Sequence, residues 1–406
     1  MKRVVITGIG TISSLGNNVA SFISKLESGG CNIQYMPEWK EYDGLNSIVA
    51  APAHLENIKR IPRHARRSMG RISLLAAQAA DEAVLDAGLS GEDLNSGRTG
   101  CIIGSTMGGA QALNEAFEFI IPEKKMTNIS AMQFFKCVSH TAAMNIAQYL
   151  KISGCVMSTS AACASSLQAI GVGIDLIRLG TQDVVICGGS EEIGPTVTGS
   201  FDVLYATSTK YNDDPMHASR PFDVNRDGLV CGEGSGIIVL EEFERARKRN
   251  ATIYGEIIGY NTCSTGMHIS QSNNDAIARC INQALDSAKV SADSIDYISA
   301  HATATTHGDI EEAQAIKKVF GSKVPVSSLK GHLGHTLGAS GAIELAATLM
   351  MMKKSVIYPT LNLDNVDPEC DGILHVVEPT NKKLNYIIKN CFAFGGINAS
   401  IVIRKL

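Results

Sequence analysis

Order, rather than residue identity, repeats along this chain, and that repeat constrains the fold more than any other feature. The segment Cys155–Ser166 reads as a short β-like run that leads into a long apolar helix. Val324–Leu329, followed by Gly338-Ala339-Ser340-Gly341, follows the same plan before a second such helix. The glycine-rich Cys231–Gly236 feeds a strand at 237–240, and Phe394–Ala399 feeds a final one at 400–403. Two echoes in the same order predict two similar halves meeting near residue 250. The basic, polar stretch Glu241–Asn250 is the expected seam, unless it is only the exposed end of a helix, and it holds no flexible Pro/Gly/Ser linker. Two tightly packed halves, 1–250 and 251–406, are therefore expected in preference to independent domains.

Strand and helix signals alternate along both halves. β-rich runs fall at Val4–Ile6, Cys101–Ile103, Val184–Cys187, Ile237–Leu240, Tyr297–Ser299 and Ala399–Ile403. Helix-like stretches fall at Arg71–Ala87, Ser165–Leu179, Asn274–Ala288 and Ser340–Met352. The alternation predicts an α/β protein with helix-covered sheets, and the strands that are apolar almost throughout read as buried central ones. With 406 residues, 45% of them apolar and 19% charged, there is ample material for such a core.

Composition removes several classes of function. Lys and Arg number 36 against 40 Asp and Glu, a net charge of −4, so no dominant nucleic-acid-binding surface is expected. The 11 cysteines are dispersed and form no CxxC pair, which fits reduced thiols rather than a disulfide scaffold. His332 and His335 form an HxxH without a second ligand pair, so no metal site is expected. No apolar run reaches the ~18 residues of a membrane span, and Lys2–Gly8 reads as a strand rather than a secretion signal. The expected location is the cytoplasm.

Gly8-Ile9-Gly10-Thr11-Ile12-Ser13 follows a strand but lacks the third glycine of a dinucleotide fingerprint, and reads as a glycine-rich strand-to-helix turn. Cys163 is more informative. It stands among alanines and serines at the start of an apolar helix, where unpaired N–H groups would stabilise a thiolate and small neighbours would admit a substrate. Taken alone, the segment fits an ordinary buried thiol equally well. Three later segments break the tie. Ser299–Asp309 is a polar loop containing His301, Ser328–His335 sets Lys330 ahead of His332 and His335, and Asn390–Asn398 is a glycine turn carrying aromatics. The combined Cys/His/Lys/His order favours thiol chemistry on an activated carbonyl.

On these residues the chain resembles the β-ketoacyl-[acyl-carrier-protein] synthases, condensing enzymes of fatty-acid and polyketide assembly within the thiolase-fold superfamily. The resemblance covers essentially the whole chain. It is carried by the Ala162-Cys163 elbow, AHxTxTxxGD at 300–309, Lys330 with Gly334-His335 and Gly338-Ala339, and FxFGGxNA at 392–399. It implies an α/β fold of two similar halves in a layered α-β-α-β-α core, the first half carrying the nucleophile and the second the His/Lys/His set and gate. By this resemblance Cys163 accepts the acyl group, and His301 and His335 form the decarboxylation and condensation pair. Lys330 matches the active-site lysine, with Glu344 as its acidic neighbour, and Phe394 the gate of the acyl pocket. The N–H groups of Cys163 and Phe394 would form the oxyanion hole. Thr303 and Thr305 match residues that hydrogen-bond the pantetheine arm, and Met107 falls where a side chain limits the acyl pocket at a dimer interface. Arg60, Arg63, Arg66 and Arg67, with Lys124 and Lys125, would offer an acidic carrier protein a basic landing surface.

The implied reaction is a decarboxylative Claisen condensation of malonyl thioester with a Cys-bound acyl group. No tightly bound cofactor is implied, because the substrates ride on the phosphopantetheine arm of acyl carrier protein. Repulsion from Lys330 would keep His335 neutral. The chain departs from the family at Ala302, Ala304 and Ala393, where glycine is common, and at Ile397, commonly threonine. His332 is a further departure, read as an extra surface or near-site imidazole. These changes keep a polyene or polyketide pathway in view beside fatty-acid elongation, in a homodimer or as the catalytic half of a heterodimer. Thiolases use Cys/His/Cys and fit less well. The intact Cys163 and histidines argue against a non-condensing, chain-length-setting subunit.

Overall fold

The computed structural model describes residues 1–127, 129–267 and 269–406. Among these residues an 11-stranded sheet contains β1 (Val4–Ser13), β2 (Thr99–Gly104), β3 (Val156–Thr159), β4 (Val184–Glu191) and β5 (Gly234–Glu242). Its other strands are β6 (Gly255–Ser264), β7 (Tyr297–Ser299), β8 (Pro325–Ser327), β9 (Leu374–His375), β10 (Tyr386–Ala393) and β11 (Ile397–Arg404). From the centre outward the first half runs β1-β5-β4-β2-β3, and the second β6-β11-β10-β7-β8 with β9 beyond. Both halves begin with two antiparallel pairings and continue with two parallel ones. Apart from β9, each strand thus has a counterpart at the same place in the other half. The halves join where Val4–Ile6 pairs antiparallel with Gly255–Ile257.

Among the longer helices, these complete the layers: α1 (Arg71–Ala87), α2 (Ser165–Arg178), α3 (Asn274–Ala288), α4 (Thr306–Phe320) and α5 (Ser340–Lys354). α1 packs on β1 and β5, α3 packs on β6 and β11, and α2 meets α5 between the two strand sets. In that middle layer Leu167, Ile170 and Ile174 share a core with Ile343, Ala346 and Leu349. α5 is buried from Ser340 to Leu349, and its one polar row there, Ser340, Glu344 and Thr348, is hydrogen-bonded within the helix, which explains why the rest of that stretch is apolar. Both paired echoes in the sequence fall on equivalent elements, β3–α2 with β8–α5 and β5 with β11.

The structure corrects one local reading. Gly8–Ser13 lies inside β1 and is not a strand-to-helix turn. A Cβ on Gly8 or Gly10 would collide with the backbone of α1 at Ala83 or Ala79, and one on Gly259 of β6 would meet Ala284 of α3 in the same way. The glycines therefore permit close helix-on-sheet approach. The stretch Glu241–Asn250 holds the end of β5 and a short helix, Phe243–Lys248. Within it Arg245 and Arg249 both pair with the buried Glu241.

Candidate active site

Every part of the site follows the carboxyl end of a strand, where α/β sheets commonly place ligands. β3 delivers Cys163, β7 His301, β8 Lys330 and His335, and β10 Phe394. Between β3 and α2 the chain turns sharply at Ala162, whose φ of 45° is a left-handed conformation uncommon for a residue with a Cβ. Ser165 Oγ steadies this elbow by accepting the Ala161 N–H at 2.8 Å. The Phe394-Gly395-Gly396 turn joins β10 to β11, with φ of 87° and 72° at the two glycines. That geometry requires glycine.

The elbow turns Cys163 into a cavity of about 290 Å³, which His301, His335, Thr303, Thr305 and Phe394 also line. His335 Nε2 lies 2.9 Å from Cys163 Sγ. The His301 and His335 rings meet edge to face, their centroids 5.2 Å apart. Cys163, His301 and His335 each offer one ligand-capable atom within 4.8 Å of the others. Phe394 stacks on Phe201 at 6.2 Å, and the Thr303 and Thr305 hydroxyls are 3.0 Å apart.

Buried charges hold the histidines in place. Glu312 accepts the His301 and Ala302 N–H groups at 2.8 and 2.6 Å, and Asp309 accepts that of Thr303 at 2.9 Å. Lys330 Nζ donates to the His301 carbonyl at 2.5 Å and lies 2.7 Å from Glu344. Lys389 donates to the other oxygen of Glu344. His335 is tied to the first half of the chain, donating its N–H to the Val230 carbonyl at 2.7 Å and accepting from the Gly232 N–H at 2.8 Å.

Burial dominates the protonation equilibria. It pushes the Cys163 thiol up to about 12, with Cys391 adding to the rise and Lys330 opposing it. α2 starts two residues after Cys163, and the net shift of the thiol is upward, set by burial, against the expectation of a stabilised thiolate. Burial and then Lys330 hold both His301 and His335 well below the ordinary imidazole value, so both are neutral at pH 7. Burial raises Glu312 to about 7 and Asp309 to about 6. Glu344 is also desolvated, yet Lys330 and Lys389 bring it down to about 2.

The cavity thus gathers Cys163, His301, His335, Thr303, Thr305 and Phe394, with Lys330 and Glu344 fully buried beside them. Met107 does not line it and is 39% exposed. Arg63 and Arg66 lie on a short helix that Arg67 caps, while Lys124 and Lys125 follow the helix Ala110–Glu123. Arg66 donates to the Ile61 carbonyl and Lys125 pairs with Glu123. His332 is neither at the surface nor in the cavity. It is fully buried, its Nδ1 2.9 Å from the Gly30 carbonyl and its Nε2 3.2 Å from that of Pro359. The sequence reading missed Glu312 and Lys389. Lys389 was detectable as a lone cation in the apolar run Tyr386–Ala393, whereas nothing local marks Glu312.

The family models for the β-ketoacyl synthase N-terminal and C-terminal domains match residues 1–246 and 254–364. A 3-oxoacyl-[acyl-carrier-protein] synthase 1 of Haemophilus influenzae is 38% identical over 407 residues, covering 100% of this chain and 99% of that protein. A solved β-ketoacyl synthase from Burkholderia phymatum superposes with a TM-score of 0.96 at 40% identity, with 100% of both chains covered. The ishigamide ketosynthase/chain length factor superposes at 0.92 and 29% identity, covering 100% of this chain and 99% of that one. These matches agree with the doubled fold and with the Cys/His/His cavity at the meeting of its halves: the chain belongs to the β-ketoacyl synthase family of condensing enzymes.

Proposed function

We propose that this enzyme makes 3-oxoacyl-[acyl-carrier-protein] in fatty-acid elongation, by condensing malonyl carrier protein with an acyl group held on Cys163. The observation that carries this reading is the 2.9 Å approach of His335 Nε2 to Cys163 Sγ, with His301 edge-on in the same cavity. In the first half-reaction the sulfur bonds to the acyl carbonyl carbon, the carrier thioester bond breaks, and the thiol proton leaves with the pantetheine thiol. The N–H groups of Cys163 and Phe394 receive the oxyanion. Malonyl thioester then loses CO2, and the electron pair of the broken C–C bond becomes an enolate. Its oxygen accepts hydrogen bonds from the two imidazole Nε2–H groups. Among the described residues both Nδ1 atoms are buried without a partner, which suits bare lone pairs and a proton on Nε2. The enolate carbon bonds to the acyl carbon, and Cys163 departs as thiolate and regains a proton.

Thr303 and Thr305 hold the pantetheine arm in this reading and Phe394 gates the acyl side. Arg63, Arg66, Arg67, Lys124 and Lys125 receive the acidic carrier protein. A second copy of the chain pairs along the sheet edge at β3, where Val156 and Met157 are each 43% exposed, and Met107 closes the acyl pocket at that interface. Residues 1–250 and 251–406 are the two halves, the first with the nucleophile and the second with the histidines. Among the described residues no helix is long and apolar enough to cross a membrane. We place the enzyme in the cytoplasm on its dispersed free thiols.

A second reading, a ketosynthase of a polyene or polyketide pathway paired with a homologous subunit, has its own support. Ala304 is held at φ 66°, where glycine would be unstrained, and the chain is similar to a ketosynthase/chain length factor. The test is release of labelled CO2 from carboxyl-labelled malonyl carrier protein, with a product two carbons longer than the acyl donor. Saturated acyl donors working best with the chain alone support elongation. A need for a second subunit or for polyunsaturated donors supports the alternative, and absence of both products contradicts the condensing assignment.

A further inference from the structure

β10 carries a cation in its interior. Lys389 lies beside Ile387, Ile388 and Cys391 and is fully buried with them. Its Nζ donates to Glu344 and, at 3.2 Å, to the Ala300 carbonyl. Lys330 Nζ takes the other oxygen of Glu344 and the next carbonyl along, that of His301. On the N–H side, Glu312 accepts from His301 and Ala302. Two consecutive carbonyls and two consecutive N–H groups around His301 therefore all end on buried charged side chains. A lone Lys330–Glu344 pair would be neutral, whereas here two ammonium groups share the Glu344 carboxylate, and Glu312, raised to about 7 by burial, offsets the second only in part. Burying that second ammonium group is costly unless it is paired, as Lys389 is with Glu344 and the Ala300 carbonyl.

We propose that Lys389 is a positioning residue for the condensation. It fixes the Ala300 carbonyl, and with it the His301 ring. It also takes up one oxygen of Glu344, which leaves the field of Lys330 acting on the histidines and keeps them neutral. The proposal rests on the roles given above to Cys163, His301 and His335. The charged and titratable groups packed around the imidazole pair include Lys330, Glu344 on α5, Lys389 and Cys391 on β10, Glu312 and Asp309 on α4, Glu191 on β4, and Cys163, and Tyr205, Asp227 and His307 line the same cavity. Burial and Lys330 act first in lowering both histidines, and Lys389 acts in the same direction. Removing Lys389 therefore makes both easier to protonate, so the acid limb of the rate profile moves to higher pH.

The experiment compares wild type, Lys389→Met, Lys389→Arg and Glu344→Gln as full-length enzymes, with acyl and malonyl carrier proteins across pH 5–9. The expected result for Lys389→Met is a kcat lower by roughly 10- to 100-fold, from the displaced His301 ring, with little change in KM. Its acid limb moves to higher pH than that of the wild type. Cys163 still acquires its acyl adduct in that variant, and Lys389→Arg recovers part of the rate. Glu344→Gln moves the acid limb the opposite way, and this holds even where Lys389→Met folds poorly. A folded Lys389→Met with an unchanged pH profile, or a Glu344→Gln limb shifted in the same direction, overturns the proposal. A wild type that takes up no acyl group on Cys163 overturns the site reading itself, and is distinguished by that readout.

Discussion

At the scale of single residues, the site is a buried thiol beside two imidazoles that burial and a lysine keep neutral. Substituting His301 or His335 by alanine removes a donor to the enolate, and malonyl decarboxylation is expected to fall by roughly 10²- to 10³-fold in each. Acyl adducts on Cys163, followed by intact mass, persist in both. With the thiol at about 12, the thiolate fraction rises about tenfold per pH unit through the neutral range. Iodoacetamide labelling of Cys163 should climb steadily from pH 6 to pH 10, and a plateau near pH 7 would contradict this electrostatic picture. Depressed imidazoles also destabilise the fold in acid. Neutral His301 and His335 contribute fully above their unfolded pKa near 6.5, and that contribution is lost as pH falls toward their lower folded values. Cys163, His301 and His335 were legible because each stands in a motif short enough to read locally. Glu312 and Lys389 were not, because their roles arise only when β10, α4 and α5 are packed around the His301 loop.

At the scale of elements, close approach decides more than propensity does. Gly259→Ala places a methyl group against the backbone of α3 and is expected to cost about 1–3 kcal/mol, read as a lower midpoint in denaturant at unchanged slope. Gly29→Ala, where nothing lies within 4 Å, is the control for glycine loss, although its φ of 67° adds strain of its own. The same physics explains a misreading. Gly8 and Gly10 look like turn residues in the sequence, yet they are strand residues pressed against α1, and only the packed helix reveals it. The ends of α1 and α3 were read correctly, because an uninterrupted helical period is a local signal. The surface alternative for His332 fails for the opposite reason. A polar residue near a site resembles a surface group until its partners, the Gly30 and Pro359 carbonyls, arrive from distant segments.

At the scale of the whole molecule, duplication builds the site, since each half contributes what the other lacks. The elbow between β3 and α2 presents the thiol and the second half presents the imidazoles, while Val230 and Gly232 of the first half grip the backbone of His335. The two echoes made this plan legible, but not the strand order, which depends on crossovers between elements far apart in sequence. Beyond the single chain, Met157→Lys at the β3 edge is expected to convert a dimer to monomer in sedimentation, and an unchanged sedimentation profile would count against pairing there. Carriage of the acyl group on Cys163 through a condensation is read by intact-mass analysis of wild type and Cys163→Ala incubated with acyl carrier protein and then malonyl carrier protein. An acyl adduct is expected on wild type alone, discharged by the malonyl partner into a 3-oxoacyl product. An adduct of equal yield on Cys163→Ala, or an acyl-Cys163 that malonyl carrier protein never discharges, would contradict it.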